Sequence, residues 1–85
     1  MLNRLGFNIL SVLSEGNSVG SASAMSAYEL EEEMQLEYKA DSIYKSLVTL
    51  KKFGYVDTGL KDGKANTYYI TEKGKKVLED ARKAG

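Results

Sequence analysis

One stretch, GYVDTGLKDGKANTYYITEKG at residues 54–74, constrains the fold of this chain more than any other. Its two alternating runs, YVDTGL and NTYYIT, are typical of short β-strands with one buried face. Between them lies KDGKA, whose Asp-Gly pair favours a tight hairpin turn. Such a hairpin is marginal in water by itself, so it needs other elements to pack against. Four side chains share its predicted inward face: Val56, Leu60, Tyr68 and Ile70.

Two helices are predicted in the first half of the chain. Apolar residues recur at steps of three and four over residues 2–14, which predicts a helix ending near Gly16. A glycine- and serine-rich loop follows, and a short strand is predicted around residues 22–25. The sequence SAYE at residues 26–29 matches a capping box, which starts a second helix that runs to about Met34.

The remaining helices flank the hairpin. Ile43, Leu47 and Leu50 form the inward stripe of a third helix at 40–53, and Leu36 is predicted to be buried in the turn before it. Thr71 is the candidate N-cap of a last helix at 72–84. The order of elements is that of a helix-turn-helix followed by a β-hairpin. The predicted fold class is therefore α+β and mainly α, in a single domain spanning 1–85.

Composition limits the chemistry that the chain can perform. The 85 residues contain no cysteine, histidine or proline. Thiol catalysis, thiolate metal sites and an imidazole base are therefore excluded, and we expect no enzyme, no cofactor and no metal site. No apolar run approaches the ~20 residues of a membrane span, and the N-terminus is too polar for a signal peptide. We expect a cytoplasmic protein.

The net charge is zero, but the charges are unevenly distributed. Residues 1–38 carry one arginine against six glutamates, whereas residues 39–76 carry nine lysines against four acids. Solvated faces alone could produce such a split. A local field of this kind nevertheless matters more for binding than the total charge does.

The sequences just described resemble those of a known group of proteins. SIYKSLVTLKKFGYV looks like the recognition helix and first wing strand of winged helix-turn-helix regulators, and NTYYITEKGKKVLE is similar to their second wing strand and closing helix. The tyrosine after Ile43, the pair Tyr68-Tyr69 and the TEKG sequence look most like the PadR-like family. The resemblance covers about residues 26–80. It implies a three-helix core with a two- to three-stranded wing at 55–71, a homodimer, double-stranded DNA as ligand and transcriptional regulation in bacteria, as a repressor.

The resemblance and the helical period together select the candidate DNA contacts. The recognition helix at 40–53 would enter the major groove, while the wing tip at 61–66 would contact the adjacent backbone. No arginine occurs in this helix, although arginine is the preferred reader of guanine. Eight residues carry polar groups on these surfaces: Lys39, Ser42, Tyr44, Lys45, Thr49, Lys61, Lys64 and Asn66.

Dimerisation is expected to use the first and last helices, because the long C-terminal dimerisation segment common in PadR-like proteins does not follow Gly85 in this sequence. A dimer of this kind reads two half-sites about 34 Å apart. Six apolar residues are the candidates for its interface: Leu2, Leu5, Phe7, Val77, Leu78 and Ala81.

A second hypothesis keeps the fold and changes the ligand. The acidic helix at 29–37 and the zero net charge suggest a protein-interaction module that binds a polymerase or a replication or partition component. Lys51 and Lys52 are more simply explained as solvated residues than as contacts. The same simple explanation applies to Ser42, Lys45 and Thr49, which any helix of this period would expose.

Overall fold

The computed structural model describes residues 2–16, 20, 23–35, 37–61, 63 and 65–84. Four helices and a three-stranded sheet follow one another in the predicted order: α1 (Arg4–Glu15), β1 (Met25–Ser26), α2 (Ala27–Glu33), α3 (Ala40–Lys52), β2 (Val56–Thr58), β3 (Thr67–Ile70) and α4 (Glu72–Ala84). The α+β, mainly α fold class is confirmed. Within the described residues, no helix is long and apolar enough to cross a membrane.

Local capping fixes the starts of the helices. Asn3 accepts a hydrogen bond from the Gly6 backbone N–H at 2.7 Å and so caps α1. The predicted capping box of α2 is confirmed, because the Ser26 hydroxyl accepts from the Glu29 N–H while the Glu29 carboxylate accepts from the Ser26 N–H. The short strand starts later than predicted, at Met25, and Ala22 lies outside the described residues.

The sheet is antiparallel, with the strand order β1-β3-β2. Val56 pairs with Ile70 and Thr58 pairs with Tyr68, which places three of the four predicted inward residues in the core. The prediction for Leu60 is wrong, because that side chain is 67% exposed. Strand β2 ends at Thr58, so the period of two on which the prediction relied does not continue as far as Leu60.

One hydrophobic core joins all four helices to the sheet, and α1 supplies its centre with Ile9, Leu10 and Leu13. Leu36, which was predicted to be buried, lies outside the described residues. The remaining core residues come from the other elements and are Leu30, Met34, Ile43, Leu47, Leu50, Val56, Tyr68, Ile70 and Leu78.

A cluster of backbone and side-chain contacts, which we call the junction, ties the end of α3 to the start of α4. Its members are Gly54, Tyr55, Thr71, Lys73 and Gly74. Gly54 has φ +80°, a left-handed conformation that ends α3 as predicted. The Thr71 hydroxyl donates to the Gly54 carbonyl at 2.6 Å and accepts from the Gly74 N–H at 3.0 Å, which confirms Thr71 as the N-cap.

The TEKG sequence has a physical explanation in this junction. The Thr71 N–H donates to the Tyr55 carbonyl at 3.0 Å, which draws the start of α4 close to the loop after α3. A Cβ atom on Gly74 would lie 2.1 Å from the Tyr55 carbonyl oxygen, so only glycine fits this approach. Lys73 completes the junction, with its ammonium 5.6 Å from the centre of the Tyr55 ring.

Candidate nucleic-acid interface

Helix α3 divides into a core-facing side and a solvent-facing side. Ile43, Leu47 and Leu50 are buried, and at 3.6 residues per turn they share one side. Four exposed residues lie opposite to them, and we call this set the outward face: Asp41, Lys45, Val48 and Lys52. Ser42 and Thr49 flank the outward face on one edge and Tyr44 flanks it on the other.

The predicted helical contacts are all solvent-exposed. Lys39 is the N-cap residue of α3. Its side chain makes no capping hydrogen bond and is exposed at the start of the helix. Ser42, Tyr44, Lys45 and Thr49 are exposed along the helix, with Tyr44 at 49%. The surface of α3 therefore presents the polar groups that the sequence predicted there.

The predicted wing contacts lie on the connection between β2 and β3. Lys61 follows β2 and Asn66 directly precedes β3, and both residues are exposed. Gly63, between them, has φ +64°, a left-handed conformation that suits a turn. Lys64 lies outside the described residues, so its contact with DNA stays a prediction.

The hydroxyl group of Thr49 is not a free donor. It donates to the Lys45 backbone carbonyl within the same helix, at 3.3 Å. Threonine commonly makes this bond inside helices. The solvent-facing side of α3 therefore has one fewer available hydroxyl donor than the sequence suggested.

A cleft of about 290 Å³ separates the start of α3 from the wing. Tyr68 lines this cleft and hydrogen-bonds with the Asn66 side chain. Asn66, which was predicted to contact the DNA backbone, therefore also has a partner within the chain. Burial raises the pKa of the Tyr68 hydroxyl above 10.0; the bond with Asn66 lowers it in part, and the nearby Tyr44 raises it further. Tyr68 therefore stays neutral near pH 7.

Tyr28 lies on the same cleft and was not among the predicted contacts. It is 66% exposed at the start of α2 and lines the cleft together with Asn66, the residue before β3. A tyrosine hydroxyl can donate to a phosphate oxygen. The signal was present in the sequence, because Tyr28 stands two residues before the buried Leu30 and therefore faces outward.

The entrance of α3 is held by a side chain from α2. The Glu31 carboxylate accepts a hydrogen bond from the Ala40 backbone N–H at 3.1 Å, across the turn between the two helices. A carboxylate at this position also interacts favourably with the positive end of the helix dipole. Gln35, in the same turn, has φ +56°, a left-handed conformation that is uncommon for a residue other than glycine. Glu31 thus links α2 to the first turn of α3.

The lysines between positions 39 and 61 have no acidic partner among the described residues. The ion pairs among the described residues are Arg4–Glu37, Lys75–Glu72, Arg82–Glu15 and Lys83–Glu79. Within the described ranges, none of the five lysines from position 39 to position 61 takes part in one. Lysines without internal partners keep their full charge available for an anionic ligand.

The predicted dimer residues fall into two groups. Leu2, Leu5 and Phe7 of the α1 region and Val77 and Ala81 of α4 are half-buried, so each keeps some surface for a partner. Leu78 must be removed from the set, because it is 2% exposed and packs in the core of its own chain.

Comparison with known proteins shows which solved structures share this fold. No protein-family model matches the chain, and no curated protein matches it either. Among solved structures, TubR from Bacillus megaterium superimposes with a TM-score of 0.79 at 25% identity, over 94% of this chain and 86% of TubR.

Two PadR structures are also similar. A PadR family transcription regulator from Clostridium difficile has a TM-score of 0.76 at 16% identity, over 96% of this chain and 86% of that one. Bacillus subtilis PadR, solved in complex with operator DNA, has a TM-score of 0.66 at 26% identity, over 92% of this chain and 46% of PadR.

The element order, the sheet and these similarities define a winged helix-turn-helix fold, in which α3 is the second helix of the helix-turn-helix and the β2–β3 hairpin is the wing. Within that class the fold is similar to those of the two PadR structures, the group that the sequence resembles.

Proposed function

We propose that this chain is a DNA-binding transcriptional regulator. In this proposal α3 enters the major groove of duplex DNA through its outward face, and the wing contacts the adjacent backbone through Lys61 and Asn66. One observation carries the proposal: the lysines at positions 39, 45 and 61 are exposed and have no acidic partner among the described residues. The operator DNA bound by the similar Bacillus subtilis PadR supports the same ligand.

The finer features of the function are part of the same proposal. We infer a homodimer that uses α1 and α4, with Leu2, Leu5, Phe7, Val77 and Ala81 as contacts, and a repressor that occludes a promoter. A bacterial, cytoplasmic setting accords with a duplex-DNA ligand and with the bacterial source of the three compared proteins. A catalytic role has no support in these similarities, which include a named transcription regulator.

The acidic helix gives less support to a protein-interaction module than its sequence suggested. Three of its five glutamates have partners within the chain: Glu29 completes the capping box, Glu31 binds Ala40 and Glu37 pairs with Arg4. The acidic surface available to a partner is therefore smaller than the run of glutamates implies.

Salt-dependent binding to duplex DNA tests the proposal. A fluorescent 30-base-pair random duplex is titrated with the chain, by anisotropy, at several salt concentrations. We expect the logarithm of the affinity to fall linearly with the logarithm of the salt concentration, because each lysine that contacts a phosphate releases about one counterion. Undetectable binding at 50 mM salt, together with recovery of a stoichiometric protein partner, would replace the proposal by the interaction module.

A further inference from the structure

Val48 is the apolar member of the outward face, and it is 39% exposed. Lys45 precedes it by three residues and Lys52 follows it by four, so the two lysines flank it one turn away on either side. Single exposed apolar residues are ordinary on protein surfaces, and valine is a weaker helix former than alanine. Val48, however, lies on the side of the helix opposite the core, between two lysines that have no acidic partner in the described part of the chain, which suits contact with a polyanionic ligand.

The neighbours of Val48 limit what this surface can recognise. The Thr49 hydroxyl is bonded to the Lys45 carbonyl, and α3 contains no arginine to form a bidentate contact with guanine. In the major groove the apolar group of the base edges is the C5-methyl of thymine. A valine in a helix is held almost entirely in one rotamer, so its methyl groups can pack against a base with little further loss of entropy.

We propose that Val48 recognises a thymine in each half-site by packing its methyl groups against the C5-methyl, while Lys45 and Lys52 bind the flanking phosphates. This inference rests on the proposed function, because it requires α3 to lie in the major groove. It adds the chemical identity of a base that the regulator reads. It also makes Val48 a specificity-determining residue, whereas the two lysines contribute affinity without selecting sequence.

Removal of a single methyl group from the DNA tests the inference. A duplex is first selected by the wild-type chain from a random pool, and each of its thymines is then replaced singly by deoxyuridine, which keeps the base pair and lacks only the C5-methyl. At one thymine per half-site we expect wild-type affinity to fall about fourfold. Val48→Ala, which removes the contact from both half-sites of the proposed homodimer, should bind the unmodified duplex about sixteenfold more weakly and lose nothing further at that position.

Two further variants make the test specific. Lys52→Ala should weaken binding to the thymine and deoxyuridine duplexes by the same factor, because a phosphate contact carries no base information. Val48→Thr keeps one methyl group and should keep part of the sensitivity to deoxyuridine. Helicity by circular dichroism is the folding check, and alanine at an exposed helical site should preserve it.

Two results would contradict the inference, and a third would contradict the proposed function. The inference is overturned if wild type is indifferent to deoxyuridine at every thymine, or if Val48→Ala remains as sensitive as wild type. Failure of the proposed function gives a different result, since then no duplex is enriched from the pool. In that case DNA is not the ligand of this chain, and the inference about Val48 no longer applies.

Discussion

The outward face of α3 and the junction at the C-terminal end of α3 differ in exposure and in hydrogen bonding. The outward face has exposed side chains, lysines with no acidic partner within the described ranges, and the bonded hydroxyl of Thr49 at its edge. The junction has three hydrogen bonds of 2.6 to 3.0 Å around Thr71 and a backbone approach that leaves no room for a Cβ atom on Gly74. If the outward face binds DNA as proposed, substitutions there should lower affinity, whereas substitutions in the junction should lower stability.

Gly74→Ala should produce the largest effect. Its new Cβ would lie 2.1 Å from the Tyr55 carbonyl oxygen and 2.8 Å from Cγ1 of Ile70, so backbone must shift. We expect the free energy of unfolding to fall by roughly 3 kcal/mol, measured by urea denaturation. Gly20→Ala is the matched control, since no atom lies within 4 Å of its added Cβ, and a similar loss there would refute the steric explanation.

Thr71→Val should weaken the junction without changing its shape. The substitution removes the hydroxyl that caps α4 and donates to the Gly54 carbonyl. We expect a loss of about 2 kcal/mol in the free energy of unfolding. Thr71→Ser keeps the hydroxyl and should recover most of this loss. Equal stabilities of the valine and serine variants would show that these bonds do not hold the helices together.

Lys45→Ala should act on affinity and leave stability unchanged. Loss of one phosphate contact lowers affinity about tenfold near 50 mM salt and reduces the salt slope by about one. Lys83→Ala is the control of equal charge, because Lys83 is on α4 and pairs with Glu79. Anisotropy titrations and urea denaturation of both variants separate the two effects. Equal affinities of the two variants would remove Lys45 from the interface.

The smallest effect is expected at Tyr68, where the core meets the cleft. Because burial raises the pKa of Tyr68 in the folded state above 10.0, its ionisation opposes folding. The stability that this group contributes is fully present below pH 10 and is lost as pH rises through the folded pKa. Tyr68→Phe should lack this loss. Its unfolding free energy, measured from pH 8 to pH 11, should fall less steeply than that of wild type, by less than about 1 kcal/mol in all.

The features predicted correctly from the sequence depend on local patterns. The capping box at Ser26, the N-cap at Thr71 and the left-handed Gly54 each involve residues within one turn of a helix. Spacing of apolar residues also placed α3 to within one residue of its bounds. Capping residues and the helical period of 3.6 residues are enough to locate elements of this kind from the sequence.

The errors arise where packing between elements decides. Leu60 was placed inward because the strand was extended by two residues, and Leu78 was placed outward because two adjacent apolar residues on α4 look equivalent in sequence. The contact of Glu31 with Ala40 joins residues nine apart across a turn, and no pattern indicates it. Val48 was not among the predicted contacts because its neighbours are polar, although the helical period places it on the outward face.

The glutamates of α2 bear on any redesign of surface charge. An engineer seeking tighter binding to a polyanion would exchange acidic residues for lysine, and the run at 31–33 offers three adjacent choices. These three choices are not equivalent. Glu32 and Glu33 are exposed and have no side-chain partner among the described residues, so they can be exchanged. Exchange of Glu31 would remove the hydrogen bond to the Ala40 N–H and place a cation at the positive end of the α3 dipole, which disfavours the helix that the added charge was meant to serve.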